Sequence, residues 1–256
     1  MYIKTKQEDI RQLRIITRND KIIIHVLYEV EDVESEADRT NVMSIDLGVN
    51  NLATITSNTA MTPVIIDGKP LKSINQYYNK RKADLQEKAM IFNGCHSTKR
   101  LCKLSEVRNN KVNDYLHKTS YKIIGLAIQN NIGTIIIGNN QGWKQNVSLG
   151  KRVNQNFVNI PYYQLIQQIT YKANWLGITV KVVDEKYTSG TSYLDDESPT
   201  VQNYDKSRRI TRGQFKSDTG MIINADVNGA YQIMKKCKDI DIPIKIGEKI
   251  TKLKVA

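Results

Sequence analysis

Cysteine is scarce in the sequence, and long hydrophobic runs are absent from it. The three cysteines, Cys95, Cys102 and Cys237, form no CxxC pair, and a sparse, odd number indicates a reducing compartment rather than a disulfide framework. Cys95, His96 and Cys102 are also too irregularly spaced for a convincing zinc site. No apolar run reaches the ~20 residues of a membrane helix, and the N-terminus has no signal-peptide pattern. We therefore expect a cytoplasmic protein that does not enter a membrane.

Acidic residues are outnumbered, with 26 Asp and Glu against 38 Lys and Arg and a net charge of +12 over 256 residues. The excess is concentrated between Lys69 and Lys122, where 13 basic residues stand against four acidic ones. Basic side chains interleaved with tyrosines are typical of a protein that binds polyanions, although a solvated helical face gives the same pattern. The candidate nucleic-acid-binding residues of this segment are Lys80, Arg81, Lys99, Arg100, Lys103, Arg108 and Lys111.

One short stretch of the chain combines an apolar run with a single carboxylate. The run from Val42 to Leu47 is typical of a strand buried on both faces, and Asp46 lies where a polar group is least expected. A buried carboxylate must be paired, protonated or bound to a cation, because burying it alone is costly. Gly48 allows a tight turn into a second strand that begins near Leu52. The simpler alternative is that Asp46 only caps this turn.

The remaining pattern predicts an α/β fold in which two basic helices interrupt a sheet. The predicted strands lie at 13–16, 22–28, 63–66, 132–138 and 178–183. The predicted helices lie over 73–130, with a break at Asn93-Gly94, from Pro161 onward, and after the cap Asn224. The first helix is expected to bury Ile74, Tyr77, Tyr78, Leu85 and Phe92, and the helix after Pro161 to bury Leu165, Ile166, Ile169 and Trp175. Strand, helix, strand implies a parallel crossover, so these strand ends lie at one edge of the sheet, where α/β proteins place their sites.

Three acids lie at the ends of predicted elements. Asp46 ends one strand, Glu185 follows another, and Asp226 lies in the first turn of the final helix, on its apolar side. Asp226 could also serve only to favour the helix N-terminus. Three converging carboxylates cannot all ionise in a dry pocket unless a cation neutralises them, and carboxylate-only ligation suits Mg²⁺ or Mn²⁺. Two such ions about 4 Å apart activate a water and stabilise the leaving oxygen of a phosphodiester, so the pattern favours a nuclease.

Five motifs, taken together, resemble the TnpB (OrfB) proteins of bacterial insertion sequences, which are relatives of the single-protein CRISPR type V effectors. The motifs match in order from about residue 10 to residue 237. They are Ser44-Ile45-Asp46-Leu47-Gly48-Val49-Asn50-Asn51-Leu52-Ala53-Thr54, Trp143-Lys144-Gln145, Gln155-Asn156-Phe157-Val158-Asn159-Ile160-Pro161, Glu185-Lys186-Tyr187-Thr188-Ser189 and Asn224-Ala225-Asp226-Val227-Asn228-Gly229-Ala230.

The resemblance implies an RNA-guided DNA endonuclease with a RuvC-like nuclease domain of the RNase H fold. By resemblance, Asp46, Glu185 and Asp226 are its catalytic and metal-binding triad, and Mg²⁺ or Mn²⁺ is its cofactor. The expected partners are a DNA target and a guide RNA from the transposon end, and Lys144 joins the candidate nucleic-acid contacts. The implied domains are a β-barrel remnant at 1–40 and a RuvC-like domain at 41–256, with a helical-hairpin insertion at 73–130.

The chain departs from the family's pattern in two places. Family members carry a β-barrel and a helical module before the nuclease, and this chain begins within what resembles the last strands of that barrel. The family often has a four-cysteine zinc knuckle between the second and third acids, but residues 190–222 contain no cysteine, so we predict no structural zinc. The residues expected to pack this loop are Tyr193, Leu194, Ile210 and Phe215. Its basic residues, which either meet a phosphate or lie in solvent, are Arg208, Arg209 and Arg212, of which the last two join the candidate nucleic-acid contacts.

Two other functions are open at this point. A truncated protein could bind nucleic acid through the basic helical hairpin without cutting it. A guide-independent, structure-selective nuclease could act on junctions or single strands with the same three acids. Dependence of cleavage on RNA and on Asp46 distinguishes both from a guided nuclease.

Overall fold

The computed structural model describes residues 9–18, 21–31, 33–34, 37–139, 160–237, 243 and 249–255. Lys144 and its motif, and the motif that ends at Pro161 up to Asn159, lie outside the described residues. Within the described part of the chain, no helix is long and apolar enough to cross a membrane.

The centre of the fold is a six-stranded mixed sheet. From one edge to the other its strands are β10 (Thr251–Leu253), β5 (Val64–Asp67), β4 (Asn51–Ser57), β3 (Val42–Leu47), β6 (Thr134–Gly138) and β7 (Thr179–Val183). Strands β3, β4 and β5 are antiparallel neighbours, β6 and β7 run parallel to β3, and β10 runs parallel to β5. This arrangement confirms the predicted α/β fold with a mixed sheet and the parallel pair β6 and β7. The edge strand β10 was not among the predicted strands.

The described chain has four helices, which are α1 (Lys69–Asn93), α2 (Lys99–Gln129), α3 (Tyr162–Asn174) and α4 (Ala225–Lys235). Helix α1 has a proline in its first turn and ends where Gly94 adopts a left-handed conformation with φ 57°, at the predicted break. The side chain of Thr98 caps α2 by accepting a hydrogen bond from the Leu101 amide. The helical pair therefore begins at Lys69 rather than at 73.

Strand β3 presents its side chains to two different layers. Met43 and Ile45 belong to the main core, which lies between the sheet and helices α2 and α3. Ser44 points to the other face, where its Oγ donates a hydrogen bond to the carbonyl oxygen of Ala230 in α4 at 2.6 Å. Because successive side chains of a strand alternate between faces, Asp46 also lies on the α4 side of the sheet. The fold therefore places a carboxylate under its closing helix.

The predicted apolar face of α1 is wrong at two of its five residues, Tyr77 and Phe92. Leu71 and Ala89 are buried, but Tyr77 is 63% exposed and Phe92 is 78% exposed. Helix α1 packs mainly against α2, so most of its length lies away from the core of the sheet. Trp175, predicted as an apolar contact of the third helix, is 45% exposed because α3 has already ended there.

Two small antiparallel ribbons lie outside the main sheet. Strands β1 (Ile10–Arg18) and β2 (Lys21–Tyr28) pair near the N-terminus and extend the predicted strands. Strands β8 (Gln214–Lys216) and β9 (Ile222–Asn224) pair just before α4. An ion pair between Lys21 and Glu106 joins the first ribbon to α2. The division into a barrel remnant at 1–40 and a nuclease domain at 41–256 stays a prediction.

Candidate active site

Asp46 lies one residue before the end of β3, and its carboxylate is close to α4. Gly229 makes room for it, because a Cβ at this glycine would lie 3.0 Å from Asp46 Oδ2. Burial, and then the negative charges of Glu185 and Asp226, raise the pKa of Asp46 well above its usual value, while Arg209 opposes the rise. A carboxylate in these surroundings favours either a proton or a bound cation.

Glu185 follows β7 and reaches toward the end of β6. Gly138, the last residue of β6, leaves space for it, because a Cβ there would lie 3.2 Å from Glu185 Oε2. This Oε2 is buried and has no hydrogen-bond partner among the described residues. Burial, and then the charge of Asp184, raise the pKa of Glu185 to about 7. A buried carboxylate oxygen without a partner fits a cation ligand.

Asp226 lies in the first turn of α4. The side chain of Asn224 accepts hydrogen bonds from the amides of Asp226 and Val227, which fixes this turn and confirms the predicted cap. Asp226 Oδ2 accepts a hydrogen bond from Asn51 Nδ2 at 2.7 Å, and Oδ1 lies 3.5 Å from Arg209 Nη2. The carboxylate therefore points toward the start of β4, although 32% of the side chain is exposed.

The three acids line one open cavity of about 610 Å³. This size falls in the range of small-molecule sites, about 300–1,000 Å³. Other lining residues include Gly48, Asn51, Thr54, Tyr187, Tyr204 and Arg209. Three separate elements thus bring the predicted acids to one place, whereas their roles as catalysts and metal ligands stay predictions.

A second group of acids forms a tighter cluster. Asp195, Glu197 and Asp218 each offer a carboxylate oxygen within 4.8 Å of the others, and within the described residues this is the group of three with that spacing. A cluster of this size could hold a metal ion, but the guanidinium of Arg208 already pairs with all three acids. The oxygens of the predicted triad are spread more widely than this around their cavity.

The three arginines of the loop at 190–222 face three different environments. Arg208 Nη1 donates to Glu197 Oε2 at 2.7 Å within the acidic cluster. Arg209 lines the cavity of the predicted triad, and its Nε is buried without a hydrogen-bond partner among the described residues. Arg212 is exposed to solvent. The expected single basic cluster is therefore divided, and of these three arginines Arg209 alone faces the predicted catalytic acids.

Aromatic stacking holds the same loop against α4. Tyr193 stacks on Tyr231 with ring centroids 4.0 Å apart and an interplanar angle of 9°. The predicted packing residues that are buried are Tyr193, Leu194 and Phe215. Ile210 is 47% exposed, so the prediction is wrong at this residue. Ile210 follows Arg209, whose side chain turns inward to the cavity.

The basic residues of the helical pair border a groove between α1 and α2. The groove has a volume of about 810 Å³, and apolar side chains such as Ile74 and Leu104 contribute to its wall. Arg108 Nε donates to Asn75 Oδ1 at 2.8 Å, which fixes this guanidinium beside the groove. The predicted nucleic-acid contacts that line it are Arg81, Arg100, Lys103, Arg108 and Lys111. Lys80 and Lys99 are exposed but are not part of its lining.

Two residues that the sequence patterns did not single out shape the site. Asn51 is predicted only as part of a turn, but its amide group orients Asp226 across the cavity. Gly138 ends a buried strand where any side chain would meet Glu185 or Ile233. The glycine at the end of an apolar strand is a usable signal of close approach, whereas no local pattern marks the contact of Asn51.

The raised pKa of Glu185 predicts how stability changes with pH. In chelator, the folded protein keeps a proton on Glu185 up to about pH 7, whereas the unfolded chain releases it near 4.5. The free energy of unfolding should therefore fall as the pH rises through this interval, by up to about 3 kcal/mol. We expect urea unfolding between pH 5 and 8 to show this slope, and Glu185→Gln to make it shallower. An unchanged slope in the variant would assign the effect to other groups.

The sheet order and the acids define the class of the domain. Three antiparallel strands, β5, β4 and β3, are followed by the parallel strands β6 and β7, with carboxylates on β3, after β7 and on the closing helix. This is an RNase H-like α/β domain of the RuvC-like class. Two family models match the chain, namely OrfB_IS605, described as "Probable transposase", over residues 25–144 and the TNB domain of Cas12f1-like proteins over residues 162–233. The two matches lie on different parts of the chain, which is thus similar to OrfB (TnpB) proteins in one part and to Cas12f1-like proteins in the other.

Comparisons with individual proteins show the same similarity. The chain is 25% identical over 224 residues to the CRISPR-associated endodeoxyribonuclease Cas12f1 of Sulfoacidibacillus thermotolerans, a match covering 84% of this chain and 50% of that one. It is 27% identical over 237 residues to a TnpB-like protein of Methanocaldococcus jannaschii, covering 88% and 78% of the two chains. A cryo-EM structure of a Cas12f1–sgRNA–target DNA complex has a TM-score of 0.61 and 21% identity, over 82% of this chain and 41% of that chain. The chain thus spans about half the length of the Cas12f1 relative.

Proposed function

We propose that the chain is an RNA-guided DNA endonuclease of an insertion sequence, which hydrolyses phosphodiester bonds in the cavity of the three acids. The observation that carries this proposal is the convergence of Asp46, Glu185 and Asp226 beside Arg209. Hydrolysis of a phosphodiester needs oxygen ligands for cations and positive charge near the phosphate, and one cavity offers both. Similarity to OrfB proteins and to a TnpB-like protein supports the same reaction.

The cofactor that fits the acids is Mg²⁺, or Mn²⁺ in its place. All donors are carboxylate oxygens, and Glu185 Oε2 is buried without a partner in the described chain. Asp46, Glu185 and Asp226 would together hold the ions, with Asp46 between the other two acids. Two ions, when bound, activate a water and stabilise negative charge on the leaving oxygen. The effect of both other acids on the pKa of Asp46 supports its place between them.

The other residues of the cavity orient the acids and the substrate. Asn51 holds the carboxylate of Asp226 by a hydrogen bond of 2.7 Å. The carboxylate is therefore already oriented before the substrate binds. Arg209 contacts the same carboxylate from the other side. A guanidinium presents several donors in a fixed fork that matches phosphate oxygens. We therefore assign Arg209 to a phosphate oxygen of the bound strand.

The proposed partners are a DNA target and a guide RNA from the transposon end. The groove between α1 and α2 carries five basic side chains, and its charge suits a phosphate backbone. The structurally similar Cas12f1 is in complex with an sgRNA and a target DNA, which supports the same two partners here. The exposed Lys80 and Lys99 of the same two helices extend this basic surface in the proposal.

Cleavage of a labelled DNA duplex tests the proposed function. The protein is co-expressed with RNA from the 3′ end of its element and incubated with a duplex that contains the matching sequence. We expect cleavage that requires Mg²⁺ and RNA and stops in EDTA. Cleavage without RNA would replace the proposal by a guide-independent nuclease, and nucleic-acid binding without any cleavage would replace it by a binding protein.

Arg209 and Arg212 form a matched pair for testing the phosphate contact. Arg209→Ala should lower the cleavage rate by about 100-fold, which is typical for the loss of one donor that stabilises transition-state charge. Arg212→Ala should leave the rate within about twofold, because its side chain lies in solvent and its carbonyl oxygen, which accepts from Arg209 Nη2 at 3.2 Å, is retained. Single-turnover cleavage measures both. Equal losses in the two variants would contradict a specific role of Arg209.

The groove between the first two helices has a separate test. We expect the combined substitutions Arg100→Gln, Lys103→Gln and Lys111→Gln to weaken nucleic-acid binding across sequences and to reduce the salt slope of the affinity by about three. Fluorescence anisotropy over a range of KCl concentrations measures this slope. The control replaces three exposed lysines outside the groove, Lys118, Lys122 and Lys181, by glutamine. A control that loses as much affinity would show that total charge, and not the groove, determines binding.

A further inference from the structure

Two tyrosines form part of the wall of the carboxylate cavity. Tyr187 and Tyr204 both line it, and each is 38% exposed. Their rings meet edge to face, with centroids 5.9 Å apart and an interplanar angle of 71°. Two other tyrosines of the same region, Tyr193 and Tyr231, are almost completely buried, at 0% and 1% exposure. Packing therefore covers the second pair, whereas more than a third of each tyrosine of the first pair stays exposed beside the cavity.

Tyr187 is built into the same turn as Glu185. Thr188 Oγ1 donates to the carbonyl oxygen of Glu185 at 2.7 Å, and Thr191 Oγ1 donates to the carbonyl oxygen of Tyr187 at 2.9 Å. Tyr187 has φ 70°, in the left-handed region that residues other than glycine rarely adopt. Strained conformations of this kind persist when surrounding contacts impose them, and they are concentrated at functional sites. The turn therefore holds the backbone of Tyr187 in a fixed position relative to the backbone of Glu185.

Tyr204 is held against Gly190 on the other side of the pair. A Cβ at Gly190 would lie 2.5 Å from the ring of Tyr204, so the close approach requires glycine. The amide of Asp205 donates to the carbonyl oxygen of Gly190 at 2.9 Å, which ties the backbone next to Tyr204 to the same turn. Hydrogen bonds therefore fix the backbone near both tyrosines, and the two rings contact each other.

We propose that Tyr187 and Tyr204 form a stacking platform for a nucleobase next to the phosphate in the cavity. This inference rests on the proposed function, because it places a nucleic-acid strand in the cavity. Aromatic side chains bind single strands by stacking on base faces, whereas both faces of a base inside a duplex are already covered. The acids and Arg209 then face the backbone of the strand while the two rings face its base.

The test measures stacking without cleavage. The full chain with its co-expressed RNA is mixed in EDTA with a thymidine oligonucleotide that carries 2-aminopurine at every third position. Stacking on an aromatic ring quenches the fluorescence of 2-aminopurine, so we expect quenching by the unmodified protein and its loss in Tyr204→Ala. Tyr204→Phe should retain it, because phenylalanine keeps the ring. Tyr204→Ala and Tyr187→Ala should each weaken binding about tenfold, the usual effect of one lost base stack. Tyr163→Ala, which removes an exposed tyrosine outside this cavity, is the control.

A second oligonucleotide separates base stacking from other effects. Abasic positions in place of 2-aminopurine should weaken binding by the unmodified protein to the level of Tyr204→Ala, and the variant should show no further loss. Unchanged affinity in both alanine variants, or equal effects on abasic DNA, would overturn the platform. If quenching depends on Tyr204 but the protein never cleaves DNA, the stacking platform is supported and the proposed nuclease activity is contradicted. If the protein cleaves DNA but shows no such quenching, the nuclease activity is supported and the platform is contradicted.

Discussion

Asp46→Asn is expected to lower the cleavage rate by roughly a thousandfold or more, which is typical for the loss of a group on which catalysis depends. The same substitution should raise the free energy of unfolding measured in chelator by about 1–2 kcal/mol, because functional sites often sacrifice stability. The reason lies in the surroundings of Asp46, since burial and the neighbouring Glu185 and Asp226 disfavour its charge. Asparagine keeps the shape of the side chain and removes that charge. A variant that is more stable but less active would show that Asp46 is retained for function and not for stability.

The measurements are single-turnover cleavage in Mg²⁺ and thermal unfolding in EDTA. Asp114→Asn is a suitable control, because Asp114 lies on α2 outside the lining of the cavity, is 63% exposed and pairs with Lys118. It should change neither quantity much, as expected for a surface substitution. If Asp46→Asn destabilised the protein in chelator, Asp46 would be a structural acid that supports the turn at Gly48. That result would favour the simpler alternative considered from the sequence.

The strands and the positions of the three acids could be predicted because each depends on a local pattern. Apolar runs mark β3 and β6, since a strand buried on both faces has few polar positions. Strand β7 lies at the edge of the sheet and is mostly exposed, so its valines alone mark it as a strand. Asn224 marks the start of α4 by its capping side chain. Parallel strands joined by a helix end at the same edge of a sheet, so Asp46 and Glu185 could be expected to lie near each other.

Contacts between distant parts of the chain could not be predicted in this way. The hydrogen bond from Asn51 to Asp226 joins residues on different elements, and either residue alone fits its local turn or helix. The adjacent arginines Arg208 and Arg209 look alike in sequence but face an acidic cluster and the cavity, respectively. The backbone conformation directs the two side chains to different places, and a run of three basic or polar residues does not predict that conformation. The exposure of Tyr77 and Phe92 on α1 was missed because helical periodicity does not specify how much of a helix has a partner.

Arg208 occupies the centre of a loop that has no cysteine to bind a structural metal. Its guanidinium pairs with Asp195, Glu197 and Asp218, and the first two side chains are only 11% and 19% exposed. The amide of Ser192 also donates to Glu197 Oε2 at 2.7 Å, and the amide of Asp218 donates to Asp195 Oδ2 at 2.8 Å. The cluster therefore joins the beginning of the loop to its end. The loop lies between the second and third predicted acids. Its ion cluster holds the two ends of the loop together, as a bound zinc ion could do in its place.

Arg208→Met should consequently lower the free energy of unfolding by about 2–4 kcal/mol, because it leaves partly buried carboxylates without a counter-ion. We place the effect below that of a fully buried pair, since Asp218 is 70% exposed and remains solvated. The melting temperature should fall by roughly 5–10 °C, with no dependence on chelator, and Arg212→Met should change it little. Adding Asp195→Asn and Glu197→Gln to Arg208→Met should restore much of the loss, because the unpaired charges are then removed as well. With Mg²⁺ kept in excess, a melting temperature that falls when a zinc-selective chelator is added to the unsubstituted protein would instead show that zinc stabilises the fold, and the prediction of no structural zinc would then be wrong.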